Sequence, residues 1–261
     1  MENSIEFIAK DVCRLAVSVG AYLREEQQKL KKSAIEMKGA RNYVTYVDKE
    51  AEKRLVEQLK EILPDAGFLT EEATVEYVRR EYTWMIDPLD GTTNYVHGDT
   101  PFSVSIALMK NDEIVLGVVY DPVADELFSA VGGDARLNGE AIRVSDKEAL
   151  KNGYIGFGIP YSLSAEGETV LRNAIALFRE CSFRMKGSSA LEICYVACGR
   201  FDAYFHSGLS PWDVAAGSFI LKRAGGKATD FSGGDNYLFG KEIVASNGKI
   251  HDDILSKIIG K

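Results

Sequence analysis

Thr83-Trp84-Met85-Ile86-Asp87-Pro88-Leu89-Asp90-Gly91-Thr92-Thr93-Asn94-Tyr95 is the stretch from which the fold is read. The apolar run Thr83 to Ile86 reads as a strand that delivers Asp87 at its end. Pro88 breaks that strand, because it removes a ladder donor and fixes φ. Asp90-Gly91-Thr92 then opens a helix. Two carboxylates, three residues apart, therefore sit on a tight corner beside a helix N-terminus. Carboxylate oxygens suit Mg²⁺, and free helix N–H groups suit an anion such as phosphate. The corner reads equally well as plain structure, with Asp90 as an N-cap and Asp87 as a turn former.

Outward from this corner, strands and helices interleave. Ile5, Ile8, Ala9, Val12, Leu15, Ala16, Val19 and Leu23 follow helical spacing and predict a first helix. A basic loop, Lys29 to Arg41, follows, then a helix from about Asp48 to Leu63 that Pro64 stops. Strands are expected at Phe68-Leu69, 102–109 and 114–120, with Asn111-Asp112 as a hairpin turn, and shorter ones at 127–131 and 141–144. Beyond Gly153 the pattern alternates. Strands fall at 154–157, near Phe183, at 201–205, 228–229 and 243–245. Helices fall at 166–179, 188–197, 211–224 and from His251 onward. No repeat or linker interrupts the chain, so the fold is layered α/β. It reads as two closely packed halves, 1–150 and 151–261, forming one unit.

Composition narrows the partners. The 261 residues carry 31 Lys and Arg against 39 Asp and Glu, a formal charge of −8, with no basic cluster fit to grip a phosphate backbone. Nucleic acid and membrane are therefore excluded as expected partners. No apolar stretch approaches the roughly 20 residues of a membrane span. Met1 to Glu6 lacks the basic start of a signal peptide, and Cys13, Cys181, Cys194 and Cys198 show no CxxC spacing. The expectation is a cytoplasmic protein with free thiols.

Acids recur at strand ends and helix starts elsewhere. In Ser210-Pro211-Trp212-Asp213, serine, proline and an acid at N3 form a capping box, yet Asp213 can hold a cation with its other oxygen. Thr70-Glu71-Glu72 puts two acids directly after a strand, a pairing that by itself usually marks a solvated loop. In Val44-Thr45-Tyr46-Val47-Asp48, the simplest role for Asp48 is to cap the second helix. A chain of net negative charge that handles an anionic substrate needs local positive charge, which divalent metals supply.

Trp84 to His97 and Trp212 to Gly226 resemble the two signature motifs of the inositol monophosphatase family, within the Mg²⁺-dependent, lithium-sensitive phosphatases that include fructose-1,6-bisphosphatase. The resemblance extends to Lys38 through Asp48, Phe68 through Glu72, Leu137-Asn138-Gly139 and Gly187-Ser188-Ser189-Ala190, covering nearly the whole chain. It implies an α-β-α-β-α sandwich of the sugar phosphatase type, and hydrolysis of a small phosphate monoester, inositol 1-phosphate first. It further implies Glu71, Asp87 and the Leu89 carbonyl as ligands of one Mg²⁺. Asp87, Asp90 and Asp213 would hold a second, and a third, weaker ion would lean on Glu71. Gly91 and Thr92 amides would hold phosphate oxygens, beside Asp90. Thr92, bonded to Asp48, would orient the attacking water with Glu71, and Thr45 would support them. Lys38 matches a lysine often found beside the metal loop, and Ser189 lies where small residues line the family's sugar pocket. Relatives of this type are usually homodimers.

Two positions depart from the family pattern. Asn42 replaces an acid, which weakens local charge. His206, in Tyr204-Phe205-His206-Ser207-Gly208, replaces a glutamate that accepts substrate hydroxyls. Histidine can also accept a hydroxyl hydrogen bond; a charged histidine there would instead favour a second anionic group, which brings in fructose bisphosphate, NADP or 3′-phosphoadenosine 5′-phosphate. A regulatory binding protein on the same fold is the alternative from another class. Paired-carboxylate glycoside hydrolysis needs no Gly-Thr-Thr anion cradle.

Overall fold

The computed structural model describes residues 2–30, 35–39, 42–160 and 165–260. Helix α1 (Glu2–Lys29) is followed by the antiparallel pair β1 (Ile35–Gly39) and β2 (Asn42–Thr45), then α2 (Tyr46–Ile62). Next come β3 (Gly67–Thr70), β4 (Tyr82–Asp90), the short α3 (Thr92–Val96), β5 (Ser103–Lys110), β6 (Glu113–Asp121), β7 (Glu126–Val131), β8 (Arg136–Leu137) and β9 (Glu140–Ala141). These last seven strands form one sheet in the order β3-β4-β5-β6-β7-β8-β9, antiparallel except for β3 on β4.

The second sheet draws on β10 (Tyr154–Phe157), β11 (Ser182–Arg184), β12 (Ala203–Ser207), β13 (Lys227–Thr229) and β14 (Glu242–Ser246), in the order β11-β10-β12-β14-β13. Between these strands lie α4 (Ala165–Ala176), which tightens into a 3₁₀ turn at Leu177–Arg179, then α5 (Ser189–Ala197) and α6 (Pro211–Arg223). Helix α7 (His251–Ile254) runs on into a π turn, Leu255–Ile259.

Side-chain alternation explains the layers. In β4, Trp84 and Ile86 join the core under α1 and α2, while Met85 joins the core shared with α5 and α6. In β12, Tyr204 faces that same middle core, while Ala203 and Phe205 face Val170 and Ala174 of α4 and Ile254 of α7. Each sheet is apolar on both faces, so helices must cover both. The result is the α-β-α-β-α sandwich, with α5 and α6 in the middle layer. Among the described residues no helix is long and apolar enough to cross a membrane, and all four cysteines are free.

Several expectations need correction. The basic stretch is not all loop. Its residues 35–39 pair with β2, a backbone pairing too short to announce itself among lysines. Pro88 does not end β4, which runs to Asp90. Asp87 pairs with Ser105 and Asp90 with Ser103, so one extra residue bulges out around the proline. The strand expected over 141–144 covers only Glu140–Ala141, and the one expected from Phe201 begins at Ala203. Helix α6 is buried all round from Val214 through Leu221, rather than along one stripe, because it lies between two sheets.

Candidate active site

The bulged end of β4 shapes the corner. Asp87 is buried at 2% exposure, and its Oδ1 accepts the Leu89 N–H at 2.9 Å, which closes the turn over Pro88. Gly91 sits at φ 92°, and a Cβ there would stand 3.0 Å from the Pro101 carbonyl and 3.1 Å from that of Gly187. Only glycine fits this conformation and this space. Helix α3 spans only five residues, so any anion held at Gly91 and Thr92 depends on individual amides rather than on a long helix dipole.

Three acids meet at this corner. The carboxyl of Asp87 lies within hydrogen-bonding reach of both Glu71 and Asp213, and a proton on Asp87 can be donated to either. Burial, then the negative charges of Glu71, Asp90 and Asp213, push Asp87 well above the usual carboxylate range. Burial likewise pushes Asp213 up, with Asp90 and Glu71 adding to it, although the Ser210 N–H donates to its Oδ2 at 2.7 Å. β3 delivers Glu71, whose N–H donates to the Ile86 carbonyl at 3.2 Å.

Asp90 behaves differently. Its Oδ2 accepts from Ser188 Oγ at 2.5 Å and the Ala190 N–H at 2.8 Å, and its Oδ1 from the Ser189 N–H at 3.3 Å. These donors, from the start of α5, favour the charged form, yet burial outweighs them and pushes Asp90 up to about 6. Asp90 thereby ties the first sheet to the middle helical layer.

The donor set fits a divalent cation. Hard carboxylate oxygens are sunk in the protein, and the strongest influences on Asp87 all oppose its charge, a situation that a bound cation reverses. As the side chains stand, no three His, Cys, Asp or Glu among the described residues already form a cage. Asp87, Glu71 and Asp213 are drawn together, while Asp90 is turned toward α5.

The remaining candidates lie on either side. Thr45, not Asp48, caps α2: its Oγ1 accepts the Val47 N–H at 3.0 Å. Asp48 is the N3 partner, its Oδ2 accepting the Thr45 N–H at 2.8 Å and Oγ1 at 2.7 Å. The spacing of acid to helix start suggested the reverse, because a threonine three residues upstream satisfies the same end. Thr92 Oγ1 lies 3.4 Å from Asp48 Oδ1 and donates to the Leu89 carbonyl at 3.0 Å. The Lys38 and Asn42 side chains lie outside the described residues.

Ser189 and His206 do come together. His206 Nδ1 is 2.9 Å from Tyr204 Oη and 3.3 Å from Ser189 Oγ, and Tyr204 Oη donates to Ser189 Oγ at 2.9 Å. Burial lowers His206 to about 4, so the imidazole is neutral at pH 7 and brings no charge to a second anion. Its burial, not visible in a lone histidine at a strand end, favours the neutral hydroxyl-bonding form of the ring over the charged one. Sequence reasoning also passed over Ser188 and Tyr204. Gly187-Ser188-Ser189-Ala190 stood out as a motif, but nothing local shows that its hydroxyl and amides close on Asp90, 98 residues away.

The inositol monophosphatase family model matches residues 4–260. Nus factor SuhB of Pasteurella multocida is 41% identical over 225 residues, 85% of this chain and 84% of its own length. The solved structure of the Thermotoga maritima IMPase is 34% identical and superposes with a TM-score of 0.87 over 95% of each chain. SaIMPase-II bound to inositol monophosphate is 27% identical, with a TM-score of 0.81, covering 96% of this chain and 94% of that one. The fold is that of the layered α/β inositol monophosphatase-type phosphatases. This chain belongs to the inositol monophosphatase family, whose members act on small phosphate monoesters and generally depend on Mg²⁺.

Proposed function

We propose that this protein hydrolyses a small phosphate monoester with Mg²⁺, inositol 1-phosphate first. Fructose 1,6-bisphosphate, NADP and 3′-phosphoadenosine 5′-phosphate are the alternatives. The observation that carries the reading is the meeting of Asp87 with Glu71 and Asp213 beside the Gly91 cradle. Glu71, Asp87, the Leu89 carbonyl, Asp90 and Asp213 would hold two Mg²⁺, with a third leaning on Glu71. Bound Mg²⁺ would supply Lewis-acid charge for the phosphoryl oxygens and lower the pKa of water.

The chain's own residues do the rest. The Gly91 and Thr92 amides bind phosphate oxygens. Thr45 donates to Asp48 Oδ2, leaving Oδ1 on the Thr92 side; the one Thr92 hydroxyl proton has the Leu89 carbonyl at 3.0 Å and Asp48 Oδ1 at 3.4 Å as acceptors, so it is held inward and the oxygen keeps lone pairs for a water proton. Glu71 accepts a proton from the same water. The neutral His206, with Ser189 and Tyr204, offers uncharged hydrogen bonding to substrate hydroxyls, which favours a sugar monoester over a bisphosphate. The same reading places the protein in the cytoplasm as a homodimer. Phe178 and Met185, 53% and 58% exposed beside β11 at the sheet edge, give a second copy an apolar surface.

A second reading is a transcription-associated role, favoured by the name Nus factor carried by relatives about 40% identical. A panel of inositol 1-phosphate, fructose 1,6-bisphosphate, NADP and 3′-phosphoadenosine 5′-phosphate, assayed with Mg²⁺ and with EDTA, tests the first. Mg²⁺-dependent phosphate release, fastest from inositol 1-phosphate, is expected. Release that EDTA leaves intact would overturn the metal assignment, and no release from any substrate would favour the second reading.

A further inference from the structure

The helix that supplies Asp48 carries a second buried carboxylate four residues on, on the same face. Glu52 is fully buried at 0% exposure, and no step above uses it. Its Oε1 accepts from Thr70 Oγ1 at 2.8 Å and from the Thr74 N–H and Oγ1 at 2.7 Å each. Its Oε2 accepts the Glu72 N–H at 2.7 Å. Four donors, taken from both sides of Glu71 in the chain, converge on one carboxylate. The loop they hold is not relaxed, since Ala73 sits at φ 49°, in the left-handed region that disfavours a side chain. Between these anchors the Glu71 N–H donates to the Ile86 carbonyl at 3.2 Å.

We propose that Glu52 is a positioning residue that holds the Thr70–Thr74 loop so that Glu71 reaches Asp87. Through α2 it links the place of Glu71 to that of Asp48 and Thr92, so that one helix face sets the span of the site. The inference rests on the reading that Glu71 holds Mg²⁺. It differs from ordinary loop anchoring in what it moves: metal affinity in the folded protein, not stability alone.

Glu52→Gln turns one acceptor oxygen into an amide that faces a donor. Calorimetric titration of the whole chain with Mg²⁺ should show binding weakened by about 10-fold or more. The Mg²⁺ needed for half-maximal phosphate release should rise by the same factor, while KM at saturating Mg²⁺ stays within about twofold. Thr74 is exposed, so Thr74→Val removes one donor without a core change and should weaken Mg²⁺ by about threefold, and Thr74→Ser should restore it. Wild-type Mg²⁺ affinity in folded Glu52→Gln, or equal affinity in the two Thr74 variants, would overturn the proposal. The Thr74 pair decides the matter if Glu52→Gln does not fold. Failure of the parent protein to bind Mg²⁺ would defeat the metal reading instead. Positioning is then judged by amide exchange at Glu71, which should be at least about 10-fold faster in Glu52→Gln if Glu52 holds it, and unchanged if it does not.

Discussion

Two buried polar clusters in this molecule solve opposite problems. At the end of β4, Asp87, Glu71 and Asp213 face one another, and burial and mutual repulsion both resist their charge. At the far sheet, His251 is equally buried, at 0% exposure, yet every partner suits it. The Thr229 hydroxyl donates to the Asp230 carbonyl at 2.8 Å, so it accepts from Nε2–H of His251 at 2.9 Å. Nδ1 in turn accepts from Ser246 Oγ at 2.8 Å. The histidine cluster is complete with neutral groups and staples α7 to β13 and β14. The acid cluster is complete only with added positive charge. Buried polarity left in conflict marks the site, and buried polarity fully matched marks structure.

The comparison is sharpest at Asp87. Asp87→Asn keeps the volume and leaves an oxygen to accept the Leu89 N–H, but removes the charge at the centre of the acids. Mg²⁺-dependent phosphate release should fall by about 1,000-fold or more, a transition-state loss of about 4 kcal/mol. Without metal the same variant should be more stable than the parent, because the cost of either burying the Asp87 charge among acids or protonating it is gone. A rise of a few degrees in the melting temperature is expected, at about 2–4 °C per kcal/mol for a chain of this size. Asp90 is a poorer test, because an amide there would face the N–H groups of α5 that its carboxylate now accepts.

The matched cluster should respond in reverse. His251→Ala empties a packed site and leaves the Thr229 and Ser246 groups unpaired, costing about 3–5 kcal/mol of stability in urea unfolding. Phosphate release per folded molecule should remain within about twofold of the parent. A large loss of turnover at unchanged stability would break the division between the two clusters.

Acidification gives the smallest effect. His251 is lowered to about 4 in the folded protein by burial, against an ordinary value of 6.5. Between those limits the unfolded chain takes up a proton that the folded one refuses. The stabilisation is therefore complete above pH 6.5 and is lost as pH falls toward 4, by up to about 3 kcal/mol. His206, lowered to about 4, acts in the same direction, whereas Glu192, raised to about 8 by burial, acts oppositely between pH 4.5 and 8. The His251→Ala variant isolates the first contribution: its urea midpoint should fall less steeply with acid than that of the parent. Parallel midpoints would remove His251 from the balance.

Much of the arrangement was legible beforehand, for a local reason. Apolar runs such as Trp84-Met85-Ile86 marked the strands, and their interleaving with helices gave the layered class; the structure shows that the run serves two cores, one on each face of the sheet. The acids stood out because they recur at strand ends and helix starts in four separated segments beside Gly-Thr-Thr, and their order along the chain resembled a known motif pair. The bulge around Pro88 and the cap at Thr45 were missed because each depends on a backbone partner that residue type does not reveal. Glu52 was missed for a related reason: on α2 it looks like any solvent-facing glutamate.

Residue order and type alone determined most of the strands and helices, the layered class and the acids at the corner, because hydrophobic period and side-chain chemistry are properties of short segments. Only the tertiary structure decided which acids touch, that Asp90 is held by Ser188 and Ala190, that His206 is neutral, and that Glu52 holds the Glu71 loop. Those outcomes depend on burial and on donors brought from distant segments, and desolvation exists only once the chain has closed around them.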